Sequence, residues 1–405
     1  MKTHIIIATV LFFFLGCSLS LPSQSFAQVM GGPMRPISHI VQSPSLQDYK
    51  MSSSGNNIYF VWTMQNLGRT SLFFEKSADG GKTFGNQMLF ANSTRIDKPS
   101  IATYNNSVYV TWEQQENKSV MIMIRRSTDG GMTFQNPISI STGSATQFTI
   151  GAVTSYGNNV DLVWTGLFGP NRTQSVMASQ SVDEGDTFAD PVLLSDSSLQ
   201  SNEQAVAQSN SSTYVVWNSR QNCADPMGDC KSMLFLRPIN DGKLGATVRL
   251  ESLDGVFPIA IATNSDTVLV EGLKRTYDDT VFENNTIIMM QSHDKGRTFS
   301  TTSSTYGVYM DGIFPVLTDS TLYQFWTVYE LGLQPEPIYV ERSFDSGKTF
   351  DAPEEISGAT TPLGVQLDSQ ATPLVILHML YGMEQTGRGH TMSFLIRSHQ
   401  TLLVR

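Results

Sequence analysis

The chain has 405 residues, 40% of them hydrophobic and only 15% charged, a balance that suits a folded protein and excludes a disordered one. Against 26 basic residues stand 36 acidic ones, for a formal charge of −10, and no basic run occurs. The footprint of a nucleic-acid-binding protein is therefore absent, and so is a reason for attraction to an anionic membrane surface. Residues 1–27 read as an export signal. Lys2 and His4 give a polar start, and Ser25-Phe26-Ala27 offers a small-x-small cleavage site. The apolar run from Ile5 to Leu15 is shorter than the roughly 20 residues a bilayer span needs. A rival reading makes Leu15-Gly16-Cys17 a lipid-attachment box, which would tether the chain to a membrane through Cys17. Either way residues 28–405 form one domain, secreted or displayed on a cell surface.

From residue 77 onward an eight-residue pattern recurs, Ser-x-Asp-x-Gly-x-Thr-Phe. Its copies are Ser77 to Phe84, Ser127 to Phe134, Ser181 to Phe188, Ser292 to Phe299 and Ser343 to Phe350. The aspartates Asp79, Asp129, Asp183, Asp294 and Asp345 are spaced 50, 54, 111 and 51 residues apart. The long gap holds two periods, and Asn240-Asp241-Gly242 marks a copy that keeps the turn and has lost the signature. The chemistry is that of a hairpin. Ser and Asp side chains bond the backbone of their own turn, Gly supplies a positive φ, and Phe plugs beneath the turn. These aspartates read as structural; the spacing of a calcium loop is missing.

Other strands keep step with the boxes. Ile58 to Trp62, Val108 to Trp112, Val160 to Trp164, Thr213 to Trp217 and Leu322 to Trp326 are rich in β-branched and aromatic residues, and Thr267 to Val270 and Pro373 to Leu377 share their phase without Trp. Further strands precede and follow most boxes, as in Val120 to Arg126 and Asn136 to Ile140. Four short strands per unit of about 50 residues is the content of a propeller blade. The expected fold is an all-β propeller of seven four-stranded blades, with six as the alternative. The segment Arg35 to Val41 is expected to close the last blade, which hides sheet edges.

These motifs resemble the Asp-box (BNR) repeat family, the sialidase-like propellers, over nearly the whole mature chain. Such boxes occur in sialidases, glucan-cleaving enzymes, sorting-receptor propellers and photosystem assembly factors, so the resemblance implies a fold more than a function. A sialidase would need an arginine triad for the substrate carboxylate, a Tyr nucleophile with a Glu partner, and an Asp acid/base. The family's Arg-Ile-Pro motif has only Met34-Arg35-Pro36-Ile37 as a counterpart, with the order altered.

The face opposite the boxes is the one to search. Candidates there are Arg69, Glu113, Arg172, Arg220, Arg275, Tyr277 and Glu330, with Tyr381 and Arg388 beyond them and Arg95 to Lys98 and Tyr309 to Asp311 leading into new blades. Polar loops carry such residues in any propeller. Gly272 to Asn285 and Met379 to His390 are expected to be the longest loops. Cys223 and Cys230 are expected to close a small disulfide loop, and sequons occur at Asn92, Asn105, Asn117, Asn171, Asn210 and Asn284. No metal or cofactor is expected, since histidines are scattered and no phosphate-binding glycine loop or Gly-x-Ser-x-Gly elbow occurs. The expected reading is a monomeric module that binds a glycan or an extracellular or envelope protein. The alternative is a sialidase-like exo-glycoside hydrolase acting on terminal acidic sugars.

Overall fold

Runs of nine or ten residues rich in β-branched and aromatic side chains form long strands here, those at Asn57–Asn66, Ser107–Glu116 and Asn159–Phe168 buried on both faces, and turns with positive φ join them in antiparallel order. A computed structural model describes residues 46–355 and 380–395, apart from 82, 117–118, 141–146, 170, 221–231, 251–255, 279–280, 308–309, 319–320, 329–337 and 387–388. The expected signal, Cys17, the strand at Arg35, the Pro373 strand, Cys223 with Cys230, Glu330 and Arg388 lie outside these residues.

The first sheet holds β1 (Leu46–Ser54), β2 (Asn57–Asn66), β3 (Arg69–Ser77) and β4 (Met88–Ser93). The second holds β5 (Arg95–Tyr104), β6 (Ser107–Glu116), β7 (Ser119–Ser127) and β8 (Ile138–Ile140). The third holds β9 (Gln147–Tyr156), β10 (Asn159–Phe168), β11 (Thr173–Ser181) and β12 (Val192–Leu193). The fourth runs β13 (Gln200–Ser209), β14 (Ser212–Arg220), β15 (Ser232–Asn240) and β16 (Lys243–Leu244), with β17 (Val248–Arg249) also paired to β15. The fifth holds β18 (Val256–Thr263), β19 (Val268–Asp278), β20 (Val281–Ser292) and β21 (Ser300–Tyr306). The sixth holds β22 (Met310–Leu317), β23 (Leu322–Val328), β24 (Ile338–Ser343) and β25 (Glu354–Glu355). A hairpin, β26 (Leu380–Thr386) with β27 (Gly389–Leu395), follows as a seventh sheet.

The first strands of successive sheets pack side by side, β1 on β5, β5 on β9, then β13, β18 and β22, so the sheets radiate as blades. This is the all-β propeller that the repeat implies. Two expectations are corrected. Within Gly272 to Asn285, residues 272–278 and 281–285 form a ladder and not a loop: Gly272 pairs with Ile288 and Asp278 with Val281. The β-branched and aromatic content of Thr276, Tyr277, Val281 and Phe282 extends the hairpin. Within Met379 to His390, the described residues 380–386 and 389–390 likewise pair in the β26–β27 ladder, with Thr386 opposite Gly389.

The core lies between blades. Trp112 packs with Tyr59, Val61 and Phe74 of the preceding blade, Trp164 with Tyr109, Trp217 with Val163, and Trp326 with Leu273. Each box clamps the same seam. Ser77 Oγ donates to Asp79 Oδ1 at 2.8 Å and accepts from the Gly81 N–H at 2.8 Å, while Thr83 N–H and Oγ1 donate to the two carboxylate oxygens at 2.9 and 2.6 Å. The same circuit recurs at Asp129, Asp183, Asp294 and Asp345. The degenerate copy keeps only the docking bond, Asp241 N–H to Ser211 O at 3.0 Å, which matches Gly80 N–H to Asn56 O at 2.9 Å.

The box glycine is required twice over. Gly185 has φ of 83°, and a Cβ there would lie 3.0 Å from Tyr109 of the preceding blade. Phe134 meets Phe74 and Phe90 edge-on at 4.9 and 4.6 Å, so the box phenylalanine plugs the seam.

Replacing Gly185 by Ala should destabilise the chain by about 1–3 kcal/mol through left-handed strain and overpacking, read as a lower urea midpoint. Hydrogen bonds from the box Thr and Ser hold the Asp129, Asp183 and Asp345 carboxyls down at about 2. The folded carboxyl thus releases its proton more readily than the unfolded one, near 3.9. Box stability should be complete above about pH 4 and fall as pH drops toward about 2, visible as a declining urea midpoint across that window.

Candidate functional site

The boxes and the hairpin turns between first and second strands share one face, since each box docks on such a turn. The opposite face is made by the entries into the first strands and by the turns between second and third strands. Backbone topology puts the described candidates there but spreads them over several blades, Glu330 and Arg388 lying outside the described residues. Arg69 opens β3, where its Nε and Nη2 donate to Asn92 Oδ1 and O at 2.5 and 3.1 Å. Arg172 is exposed in the β10–β11 turn at φ of 52°, and Arg220 ends β14 opposite Gln200. Arg275 and Tyr277 are ladder residues of β19, opposite Asn285 and Phe282. Tyr381 pairs with Phe394 in the seventh sheet.

Glu113 is the candidate that meets others. It is buried in β6, directly opposite Asp97 in β5. A crevice of about 300 Å³ opens beside it, lined by Arg95, Asp97, Lys98, Gln115, Phe148 and Thr149, with Val120 at its edge. These residues come from the entry to the second blade, the end of β6 and the entry to the third, so the crevice lies between blades two and three. Arg95 Nε forms an ion pair with Asp97 Oδ2. The crevice thus carries two cations, two carboxylates, an amide, a hydroxyl and an aromatic side chain. It holds Arg95, which leads into the blade, and not Arg69, Arg172 or Arg220.

What aims these groups is a feature the residue pattern does not reveal. Every complete blade has a register shift in the first strand beside the tryptophan level, and in β5 it falls between Asp97 and Ser100. The others lie at Leu46/Tyr49, opposite Val163/Trp164, and at Glu203/Ala205, Val256/Ile259 and Met310/Gly312. A bulge bends its strand and redirects side chains. In β5 it leaves Lys98 at φ of 50°, with its N–H donating to Asp48 Oδ2 of the first blade at 3.2 Å. Left-handed backbone is strained for a lysine.

Several buried acids were also not anticipated. Burial alone pushes Glu75 in β3 up to about 7. Burial raises Asp161, against the lowering effect of hydrogen bonds from Thr213 Oγ1 at 2.7 Å and Gln180 Nε2 at 2.9 Å. A Tyr–Glu pair does exist, Tyr306 Oη to Glu341 Oε1 at 2.5 Å. Tyr306 ends β21, the fourth strand of its sheet, so this pair lies away from the first strands that surround the centre. Among the described residues no group of three or more His, Cys, Asp or Glu is placed to hold a metal ion, and no helix is long and apolar enough to cross a membrane.

Relaxing Lys98 tests whether the bulge is strained: Lys98→Gly should raise stability by about 1 kcal/mol, measured by urea unfolding, because glycine adopts positive φ without a Cβ clash.

No family model and no curated protein sequence matches the chain. Solved structures do. The chain is similar to an acylaminoacyl peptidase from Pyrococcus horikoshii at 12% identity and a TM-score of 0.51, covering 87% of this chain and 51% of that one. It is similar to the β-propeller domain of the Trilobed protease from Pyrococcus furiosus at 10% identity and a TM-score of 0.50, over 91% of this chain and all of that domain. Trypanosoma rangeli sialidase overlaps at 10% identity and a TM-score of 0.45, with 76% of this chain spanning only 57% of the sialidase. At such identities the likeness concerns the fold alone, and the fold it shares is that of an all-β propeller.

Proposed function

We propose that this chain is an exported, surface-exposed propeller of Asp-box type that binds a glycan in the crevice between its second and third blades. The observation that carries this reading is the crevice itself. Its volume of about 300 Å³ is at the lower bound for small-ligand sites. Arg95, Lys98, Asp97, Glu113, Gln115 and Thr149 offer donors and acceptors around the aromatic side chain of Phe148, the mixture that hydroxyl-rich rings require. Box glycines and aromatic plugs make the opposite face a structural one. A protein ligand would use the same loop face. Hydrolysis of sialidase type has less support, because the arginines expected for a carboxylate clamp are spread over several blades and the Tyr306–Glu341 pair is remote from the crevice.

The mature chain, residues 28–405, should be retained on an array of immobilised neutral and acidic oligosaccharides. Lys98→Ala and Glu113→Gln should each weaken that binding by about tenfold, the effect of losing one hydrogen bond to a charged group. Failure of the folded chain to bind any oligosaccharide would overturn the glycan reading, and release of a fluorescent leaving group from sialosides would replace binding with hydrolysis.

A further inference from the structure

The seams between successive blades are mostly apolar, and the seam between the fifth and sixth, apolar at Leu273 with Trp326 and at Leu269 with Leu322, also holds two buried glutamates. In the fifth blade Gly272 takes the position that holds tryptophan in its neighbours, and Glu271, one residue earlier, faces the sixth blade. Glu271 is 0% exposed. Gln324 of β23 donates Nε2 to its Oε2 at 3.0 Å, while Oε1 accepts no hydrogen bond among the described residues. Glu341 of β24 is buried and pairs directly opposite Gln324, so it shares the face turned to the fifth blade. Its donor is Tyr306 of β21, across the seam. Each carboxyl is therefore held by a neutral donor from the other blade, in a reciprocal pair of bridges.

Among the described side chains no cation bonds either carboxyl. Arg342 follows Glu341 on the other face of β24 and is bonded to Asp351 at 2.7 Å. Lys274 is exposed. Tyr339 stacks on Trp326 at 6.0 Å between ring centres, and Trp326 meets Tyr306 at 5.6 Å. Tyr323 alternates to the face away from Gln324, and the Glu354 and Glu355 carboxylates lie on the outermost strand. The nearby charges that act on the pair are negative: Glu341 on Glu271, and Asp351 on Glu341. Two carboxyls sealed in one seam without a counter-ion resist ionisation together.

We propose that the seam between blades five and six is proton-operated: with Glu271 and Glu341 neutral, the bonds donated by Gln324 and Tyr306 hold it closed, whereas loss of both protons to solvent leaves two desolvated like charges that those bonds do not offset and opens it between β19–β21 and β22–β24. Burial supports this by holding Glu271 up at about 8 and Glu341 up at about 7. Because the folded seam keeps these protons more tightly than the unfolded chain, its contribution is complete below about pH 4.5 and is lost as pH rises through about 7 to 8. The device needs only these side chains and is independent of any ligand at the crevice.

Hydrogen exchange of the full mature chain between about pH 5 and about pH 9 tests this, with peptides of β19 and β24 compared against peptides of β6 and β10 from the same molecule. Base catalysis of exchange is common to both sets. Above neutrality the seam peptides should lose protection relative to the reference peptides by about tenfold per pH unit for each proton released. The doubly substituted chain, Glu271→Gln with Glu341→Gln, should keep the low-pH protection throughout. Seam peptides that track the reference peptides, or a decline that persists in the double variant, overturn the proposal. Should the variant not fold, infrared spectroscopy of a chain that keeps Glu271 and Glu341 and carries Glu75→Gln and Asp161→Asn, which removes the other carboxyls raised by burial among the described residues, decides the matter. Protonated-carboxyl absorption must persist there at about pH 6, where exposed glutamates are ionised, and its absence overturns the proposal equally.

Discussion

The structure depends on the fact that no blade is complete without the one before it. A single twisted four-stranded sheet has two apolar faces and no third layer of its own. Here Trp112, Trp164, Trp217 and Trp326 of the second strands each pack backward onto the preceding blade, as Trp112 does onto Tyr59 and Val61. Burying an aromatic side chain of this size contributes several kcal/mol, and the gain exists only when two blades meet. The box adds a fixed distance to that contact. Its glycine presses on the preceding blade at Tyr109 or Phe74, and its Ser–Asp–Thr circuit lets the exposed turn keep that shape without a core of its own.

Much of this was legible in the residues because it repeats. A serine, aspartate, glycine, threonine and phenylalanine in fixed order at intervals near 50 residues specify one turn, and five copies specify a ring. The degenerate copy at Asp241 was legible for the same reason: turn chemistry survives when the hydroxyl and carboxylate partners go, since the Asp241 N–H still docks on Ser211. The hairpin at Gly272 to Asn285 was misread as a loop. Its polar residues come in runs, Lys274-Arg275, Asp278-Asp279 and Glu283-Asn284-Asn285, and a segment without alternation reads as an irregular connection although its backbone pairs as a ladder.

The site was legible only as a face. Strand polarity and the location of the boxes fix which turns lie opposite, and Glu113 belongs there on that ground alone. What was hidden is the bulge. A register shift needs no fixed residue type, and the one signal in Asp97-Lys98-Pro99 is Pro99, which has no N–H for a ladder; that β5 slips against β6 there and turns Lys98 into the left-handed region is a property of the folded pairing. The buried acids were hidden for a related reason. Glu75, Glu271 and Glu341 each occupy a strand position where the period-two pattern allows a polar residue. Only the packing of adjacent blades reveals that the position is interior.

The two kinds of carboxyl in this chain then divide by what surrounds them. A box aspartate is exposed and accepts several hydrogen bonds, so its charged form is favoured and its turn depends on ionisation. Glu271 is sealed, accepts one hydrogen bond and sees another carboxyl, so its neutral form is favoured and its seam depends on protonation. The same side-chain chemistry therefore strengthens the ring at one set of positions and weakens it at another as pH rises. The boxes favour closure above about pH 4, and the fifth and sixth blades favour it below about pH 7. Closure is best satisfied in the mildly acidic interval between. Departures from that interval act on different parts of the ring: acid reaches every box turn at once, whereas alkali acts where glutamates are buried, at Glu75 in the first blade and at the seam that holds Glu271 and Glu341.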